Sequence, residues 1–394
     1  MPAVMSRPTV AVSLSSTCNA VGVSEHPVDS SSPYYQHQRY WNTLPRVIEQ
    51  MNRRTSGDPA VDWMKDFRNR RGKPFERALV LNCGSGWVER ELVQIGAVNS
   101  VIATDISESL VGFARSKAQE QNLPIDYVIR DANAEALPLD GVDLVVNHAA
   151  CHHLANLDRV LGSIADALPD DGWFVSFDYV GAHRNQYPAD QWEAAVYLND
   201  ELPEHLQSKM SYPHLQTMLA SDPSEAIHSE LFLEVHDRYF SSVVERPIGG
   251  WLAYLVLTGN DGLFDHLGPV ADRWVERVLA ADEAEVDANR CHTLFSYLIG
   301  QPRRPAATTE QRAVWSEEET RRENVASGNG GTYYPRTVIA RAVSAADPHG
   351  IGQLRPEQLV QTLPGKLLAE HLLRRLQPTR RARELSRSVL GRFR

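Results

Sequence analysis

The chain has 394 residues, a net charge of −10, 42% hydrophobic residues and 23% charged ones. That profile belongs to a soluble globular protein, and no run reaches the ~20 apolar residues a bilayer span needs. The acidic balance argues against general nucleic-acid binding, and the four scattered cysteines (Cys18, Cys83, Cys151, Cys291), with no C-x-x-C pair, fit a reducing cytoplasm.

Residues 1–32 lack the compact apolar stretch of a signal peptide and read as a flexible leader. Residues 33–76 have apolar positions at roughly helical spacing behind an aromatic group, Tyr34, Tyr35, Tyr40 and Trp41, and predict a helical N-terminal cap. A domain over 77–301 follows. Strands are expected at 78–82, 100–104, 125–129, 142–147 and 173–179, with helices near 87–96, 107–121 and 156–168. Strands separated by helical stretches of this length imply βαβ units and a parallel sheet. The strand C-terminal ends then share one edge, where a ligand binds.

After Val180 the alternation stops, and about 183–228, rich in His, Tyr, Pro and Gln, predicts a partly helical lid. Strands are expected again at 231–240 and 292–299, with helices near 250–258 and 268–281. Residues 302–394 form a C-terminal extension with a basic end: from His371 to Arg394 eight arginines face one acid, Glu384. Leu367, Leu368, Leu372, Leu373 and Leu376 stand at helical spacing there. Docking on an acidic protein surface is the favoured reading of this tail, and contact with an anionic membrane the lesser one.

The chemistry starts at "LVLNCGSGWVER", where an apolar strand runs into Gly84-Ser85-Gly86 and a helix beginning at Trp87. Glycines there let backbone approach a ligand at a helix N-terminus. Glu89 occupies the place of the third glycine in G-x-G-x-x-G, which weakens a dinucleotide reading such as an NAD-dependent oxidoreductase. Asp105, at the end of the second strand, suits the two ribose hydroxyls, with Ile106 beside it. Asp131 suits an adenine amino group, and Ala132 leaves room for the ring. Asn147 and His148 end the fourth strand at the same edge. A cofactor with adenine and ribose but no phosphate fits this set, and S-adenosylmethionine is such a cofactor.

The order of these motifs resembles the class I S-adenosylmethionine-dependent methyltransferases. "LNCGSGWVERELVQIGA", "ATDISESLVGFAR", "YVIRDANAEALP", "FDYVGAHRNQ" and "IGGWLAYLVL" are similar to a bacterial group associated with glycan and natural-product biosynthesis. The resemblance spans about residues 34–300. It implies an α/β, Rossmann-like, seven-stranded and mostly parallel sheet with helices on both faces. It also implies S-adenosylmethionine as cofactor and S-adenosylhomocysteine as product, with Asn82, Gly84, Gly86, Trp87, Asp105, Ile106, Asp131, Ala132, Asn147 and His148 around the cofactor. Family members usually carry an acid or a glycine just before the loop, where this chain has Asn82-Cys83.

For transfer to a hydroxyl, a base must stand near the acceptor. His152, His153 and Asp178 are the candidates; adjacent histidines cannot both face the acceptor, so one is expected to pack or cap. Tyr179, His183, Arg184 and Gln186 are candidate acceptor or lid contacts. No metal site is expected, because His148 and His152 at i, i+4 straddle a strand-to-loop transition rather than a helix. The sequence thus predicts a cytoplasmic O-methyltransferase acting on a small-molecule or glycan acceptor, with a homodimer open. The alternative is a cofactor-binding protein that does not transfer methyl.

Overall fold

The computed structural model describes residues 39–326 except 214, 289–292, 305 and 306. The leader over 1–32, Tyr34, Tyr35 and the basic tail therefore lie outside the described residues.

Two helices precede the sheet, α1 (Pro45–Ser56) and α2 (Trp63–Arg71). Pro45 opens α1 where its missing N–H costs nothing, and Asp62 caps α2 by accepting from the Lys65 N–H. The chain then alternates through β1 (Phe75–Leu81), α3 (Trp87–Gln94), β2 (Val98–Asp105), α4 (Glu108–Glu120), β3 (Ile125–Ile129), β4 (Leu144–His148), α5 (Leu157–Ala167) and β5 (Trp173–Tyr179). The stretch expected to form a lid holds α6 (Ala189–Asp200) and α7 (Leu215–Ser221) between short 3-10 turns. Then come α8 (Phe232–Tyr239), β6 (Phe240–Gly249), α9 (Ala253–Leu257), α10 (Asp261–Phe264), α11 (Pro269–Ala288), β7 (Phe295–Pro302) and α12 (Thr309–Ala326).

The strands form a seven-stranded sheet in the order β3-β2-β1-β4-β5-β7-β6. The first five are parallel, and β7 runs antiparallel between β5 and β6. This is the mostly parallel α/β sheet that the sequence predicts. Side chains along β1 alternate between two cores: Ala78 and Val80 join one, Leu79 and Leu81 the other. Both faces are covered, so the central strands are continuously apolar rather than alternating. A third core gathers Trp41, Tyr187, Trp192, Trp251 and Leu257, tying the N-terminal segment and the lid region to α9 and α11. Trp41 itself is buried against Tyr254 and Phe295.

One expectation is corrected. The run 231–240 is not a strand: residues 229–231 form a 3-10 turn, Phe232–Tyr239 is helical, and β6 begins only at Phe240. The buried residues in that run are Leu231, Phe232, Val235, His236, Tyr239 and Phe240, recurring every three to four positions, while Glu234 and Asp237 face outward. That is the helical period rather than the two-residue period of a strand.

The edge next to β7 is fastened by Asp282 of α11. Its carboxylate accepts from the Gly250, Leu252 and Ala253 N–H groups at 2.8, 2.6 and 3.0 Å. Those are the donors left over at the start of α9, so "IGGWLAYLVL" is a helix entry closed by a distant acid.

Candidate active site

The parallel strands deliver Leu81, Asp105, Ile129, His148 and Tyr179 to one edge. Between β1 and α3 the backbone turns through left-handed conformations at Asn82 (φ 43°), Gly84 (φ 54°) and Gly86 (φ 78°). Asparagine is among the few side-chain-bearing residues that tolerate this region, so Asn82 serves the turn as a glycine would. Its amide also bonds the Ala150 carbonyl at 3.3 Å and joins the loop to the end of β4. Gly86 is sterically required. A Cβ there would stand 2.6 Å from Ala114 Cβ and 2.7 Å from the Tyr127 hydroxyl.

Asp105 is nearly buried, and its two oxygens accept from the Gly84 N–H at 2.9 Å and the Ser107 N–H at 2.8 Å. Each oxygen keeps further lone-pair capacity. Beside it Ile106 is 68% exposed, an apolar side chain left uncovered at the C-terminal edge. Asp131 shapes its own turn by accepting from the Asn133 N–H at 2.8 Å, and Ala132 is buried behind it. Asn133 in turn accepts from the Ala155 N–H at 2.7 Å, tying the turn after β3 to the loop after β4.

Glu89, at the position of the missing third glycine, points inward beneath the loop and is fully buried. Burial pushes its carboxyl up to about 7, with the helix backbone and the Tyr127 hydroxyl pulling the other way. Neither carboxylate oxygen has a hydrogen-bond partner of full geometry.

Two residues expected at the cofactor edge face elsewhere. Asn147 is fully buried and spends its amide on Ser176 Oγ (2.8 Å), Asp178 Oδ2 (2.9 Å) and the Cys151 N–H (2.8 Å). It braces Asp178. His148 packs in one aromatic cluster with Trp63 and Phe177, and edge-to-face with Trp87. Its neighbours place it on the α2 side of the sheet, and burial pushes its imidazole down to about 4.

The catalytic candidates do converge. His152 Nδ1 lies 2.6 Å from Asp178 Oδ1. Asp178 also receives the Cys151 and Tyr179 N–H groups at 2.9 and 2.7 Å. Burial lowers the His152 imidazole, but the Asp178 charge outweighs it and the group is pushed up to about 9. His153, whose ring centroid is 4.2 Å from that of His152, is held below its ordinary value by burial and by His152. The residue that sequence reasoning missed is Glu225. Its Oε2 lies 3.7 Å from the Nε2 of both histidines. No motif announces it, because it comes from a loop 72 residues past His153 that only the folded lid brings back.

A cleft of about 550 Å³ opens beside this cluster, lined among others by Tyr187, Trp192, Met210, Tyr254, Asp222 and Glu225. The expected acceptor contacts do not line it. Arg184 is buried, with its guanidinium on the Pro223 and Glu225 carbonyls, and Gln186 donates to the Arg184 and Pro213 carbonyls at 3.0 and 3.1 Å. Both side chains hold backbone carbonyls of this region. Tyr179 is buried with its hydroxyl on the Ala182 carbonyl, and His183 lies near Glu230 and His228. Asn185 and Tyr187, their sequence neighbours, face the cleft instead.

Residues 79–176 match the family described as methyltransferase domain. Over these residues the chain is a methyltransferase domain. The matched stretch holds the glycine loop, Asp105, Asp131 and the His152–His153 pair. Among curated proteins, the domain is similar to the ubiquinone biosynthesis O-methyltransferase of Chelativorans sp. (strain BNC1), 32% identical over 26% of this chain and 41% of that one. The protein of the same name from Agrobacterium fabrum is 31% identical over 25% and 40%. The chain thus spans about two fifths of the length of these relatives. Among solved structures, the [4+2]-cyclase SpnF shares 18% identity over 67% of this chain and 87% of that one, at a TM-score of 0.40. Among the described residues no helix is long and apolar enough to cross a membrane.

Proposed function

We propose that this chain is a cytoplasmic enzyme that transfers a methyl group from S-adenosylmethionine to an oxygen of a sugar-containing or other natural-product small molecule. The observation that carries the reading is the Asp105 carboxylate, fixed by the Gly84 and Ser107 N–H groups next to the uncovered Ile106. A fixed acid and an open apolar side chain at one strand end suit a ribose and an adenine together. The loop offers no basic side chain for a pyrophosphate, which suits a cofactor without phosphate.

When bound, S-adenosylmethionine supplies an electrophilic methyl group on sulfur, and S-adenosylhomocysteine is the product. Asp105 would hold the ribose, Ile106 and Ala132 the adenine face, and the backbone at Gly84 and Gly86 the amino-acid end. Asp131, its carboxylate tied to the Asn133 N–H, would set the adenine edge. The acceptor would enter the cleft, pack on Tyr187, Trp192 and Tyr254, and present its hydroxyl to the cluster of His152, His153 and Glu225. Asp178 orients His152 there, and positioning of this kind is where much of a methyl-transfer barrier is lowered. The name of the curated relatives supports oxygen as the acceptor atom.

Calorimetric titration with S-adenosylmethionine, S-adenosylhomocysteine and NAD tests this. Micromolar binding of the two sulfur ligands, with no heat from NAD, is the expected result. No binding of either sulfur ligand would overturn the reading.

A further inference from the structure

Among the described residues, His152, His153 and Glu225 present three ligating atoms within 4.8 Å of one another. Their hydrogen bonds define what those atoms offer. Asp178 is a carboxylate, so His152 Nδ1 is the donor in the 2.6 Å contact. Ser224 Oγ donates to Asp222 Oδ1 at 2.7 Å, so it receives His153 Nδ1–H at 3.1 Å. Both imidazoles therefore donate through Nδ1 and turn Nε2 inward, where a cation that displaces any Nε2 proton meets two lone pairs. Both atoms meet the Glu225 carboxylate, with each Nε2 3.7 Å from Oε2.

Those distances are too long for hydrogen bonds. They are close to the edge of a metal coordination shell, since ligands about 2.1 Å from a tetrahedral zinc stand about 3.4 Å apart. A single proton on one imidazole can bridge one such gap; a cation between them satisfies both at once. The surroundings are those of a metal centre. Each histidine is oriented through Nδ1 by a carboxylate, directly from Asp178 or through Ser224 from Asp222, and Glu225 Oε1 accepts from Asn185 Nδ2 at 3.3 Å.

We propose that His152 Nε2, His153 Nε2 and Glu225 Oε2 bind one divalent first-row transition metal, with an open coordination position facing the cleft. Two imidazoles and a carboxylate suit zinc, iron, cobalt or manganese. Glu225 and Asp222 line the cleft, so the open position faces the space where an acceptor oxygen would lie. The use of the metal in methyl transfer, where it would bind and acidify that oxygen, rests on the function proposed above; its binding does not. The sequence expectation of no metal weighed only His148 and His152, because Glu225 reaches the histidines from a segment more than seventy residues further on.

The test is titration of the full-length, metal-stripped protein with Co²⁺, followed by visible absorption, and with Zn²⁺ by calorimetry. One equivalent should bind, with d–d bands of a four- or five-coordinate site. His153→Ala and Glu225→Ala should each weaken binding at least 100-fold, and Asp178→Asn about 10- to 100-fold by releasing the His152 ring. Glu225→Gln, which keeps the side-chain volume, serves if the alanine variant does not fold. His266→Ala, which alters a histidine pair elsewhere on the surface, should leave the affinity unchanged. Absence of the absorption bands, or affinity unmoved by the His153 and Glu225 variants, would overturn the proposal. S-adenosylmethionine binding to the metal-free protein separates the two readings, because the cofactor site can stand while the metal site fails.

Discussion

The backbone N–H of Gly84 is held at 2.9 Å by Oδ2 of Asp105, so the glycine loop after β1 and the acid ending β2 form one unit. The loop positions the acid and the acid fixes the loop. Asp105→Ala removes both the ligand acceptor and the loop anchor. S-adenosylmethionine affinity should fall at least 100-fold by calorimetry, about what two hydrogen bonds to a charged group are worth. Asp105→Asn, which keeps one acceptor oxygen, should lose less. Unchanged affinity in the alanine variant would remove the ribose from this place.

Gly86 can be tested against a glycine that lacks its neighbours. Gly86→Ala forces a Cβ to within 2.6 Å of Ala114 Cβ at φ 78°, whereas Gly57, at φ 90°, has nothing within 4 Å of the same added atom. Gly57→Ala should cost about 1 kcal/mol for the backbone alone. Gly86→Ala adds overpacking worth about 1–3 kcal/mol more. Urea denaturation of both variants measures the difference, and equal losses would show that the close approach at Gly86 is relieved cheaply.

Glu89 gives a pH-dependent prediction. The groups around its carboxyl are Cys83, Tyr127, Asp105 and Arg90. Its folded-state value of about 7 lies above the ordinary 4.5. Such a raised acid destabilises the fold as it is forced to ionise: the cost is absent below pH 4.5, grows towards pH 7 and is constant above. Glu89→Gln removes that cost, so the variant should gain on the wild type as pH rises, by on the order of 3 kcal/mol at pH 8. Denaturant midpoints at pH 5 and pH 8 report the gap, and one that does not widen counts against a buried, raised Glu89.

Glu319 of α12 caps α5 from more than 150 residues away. Its carboxylate accepts from the Leu157 N–H at 2.6 Å and the Asp158 N–H at 3.2 Å, where Asn156 makes no side-chain cap of its own. Glu319→Ala leaves two buried donors unpaired and should cost roughly 2–4 kcal/mol, while Glu319→Gln, keeping one acceptor, should cost less. Differential scanning calorimetry of the two variants checks the order. If alanine and glutamine are equally tolerated, water reaches the start of α5 and the cap is dispensable.

Sequence alone determined what is local in period and spacing. The apolar run ending in Gly84 and Gly86, Asp105 nineteen residues later, and strands alternating with helices each express a rule that acts over a few neighbours, and together they announce the sheet and its ligand edge. At 231–240 even local reading failed, because a short apolar run carries both periods until its partners are known. What only the tertiary structure decided is which polar atoms meet. Asn147 faces Asp178 rather than a cofactor, Arg184 holds the backbone of a returning segment, and Glu225 meets two adjacent histidines that precede it by more than seventy residues. A side chain's role at such a place depends on which distant segment returns to it. The third core, where lid, N-terminal segment, α9 and α11 bury their apolar faces together, is the physical cause of that return.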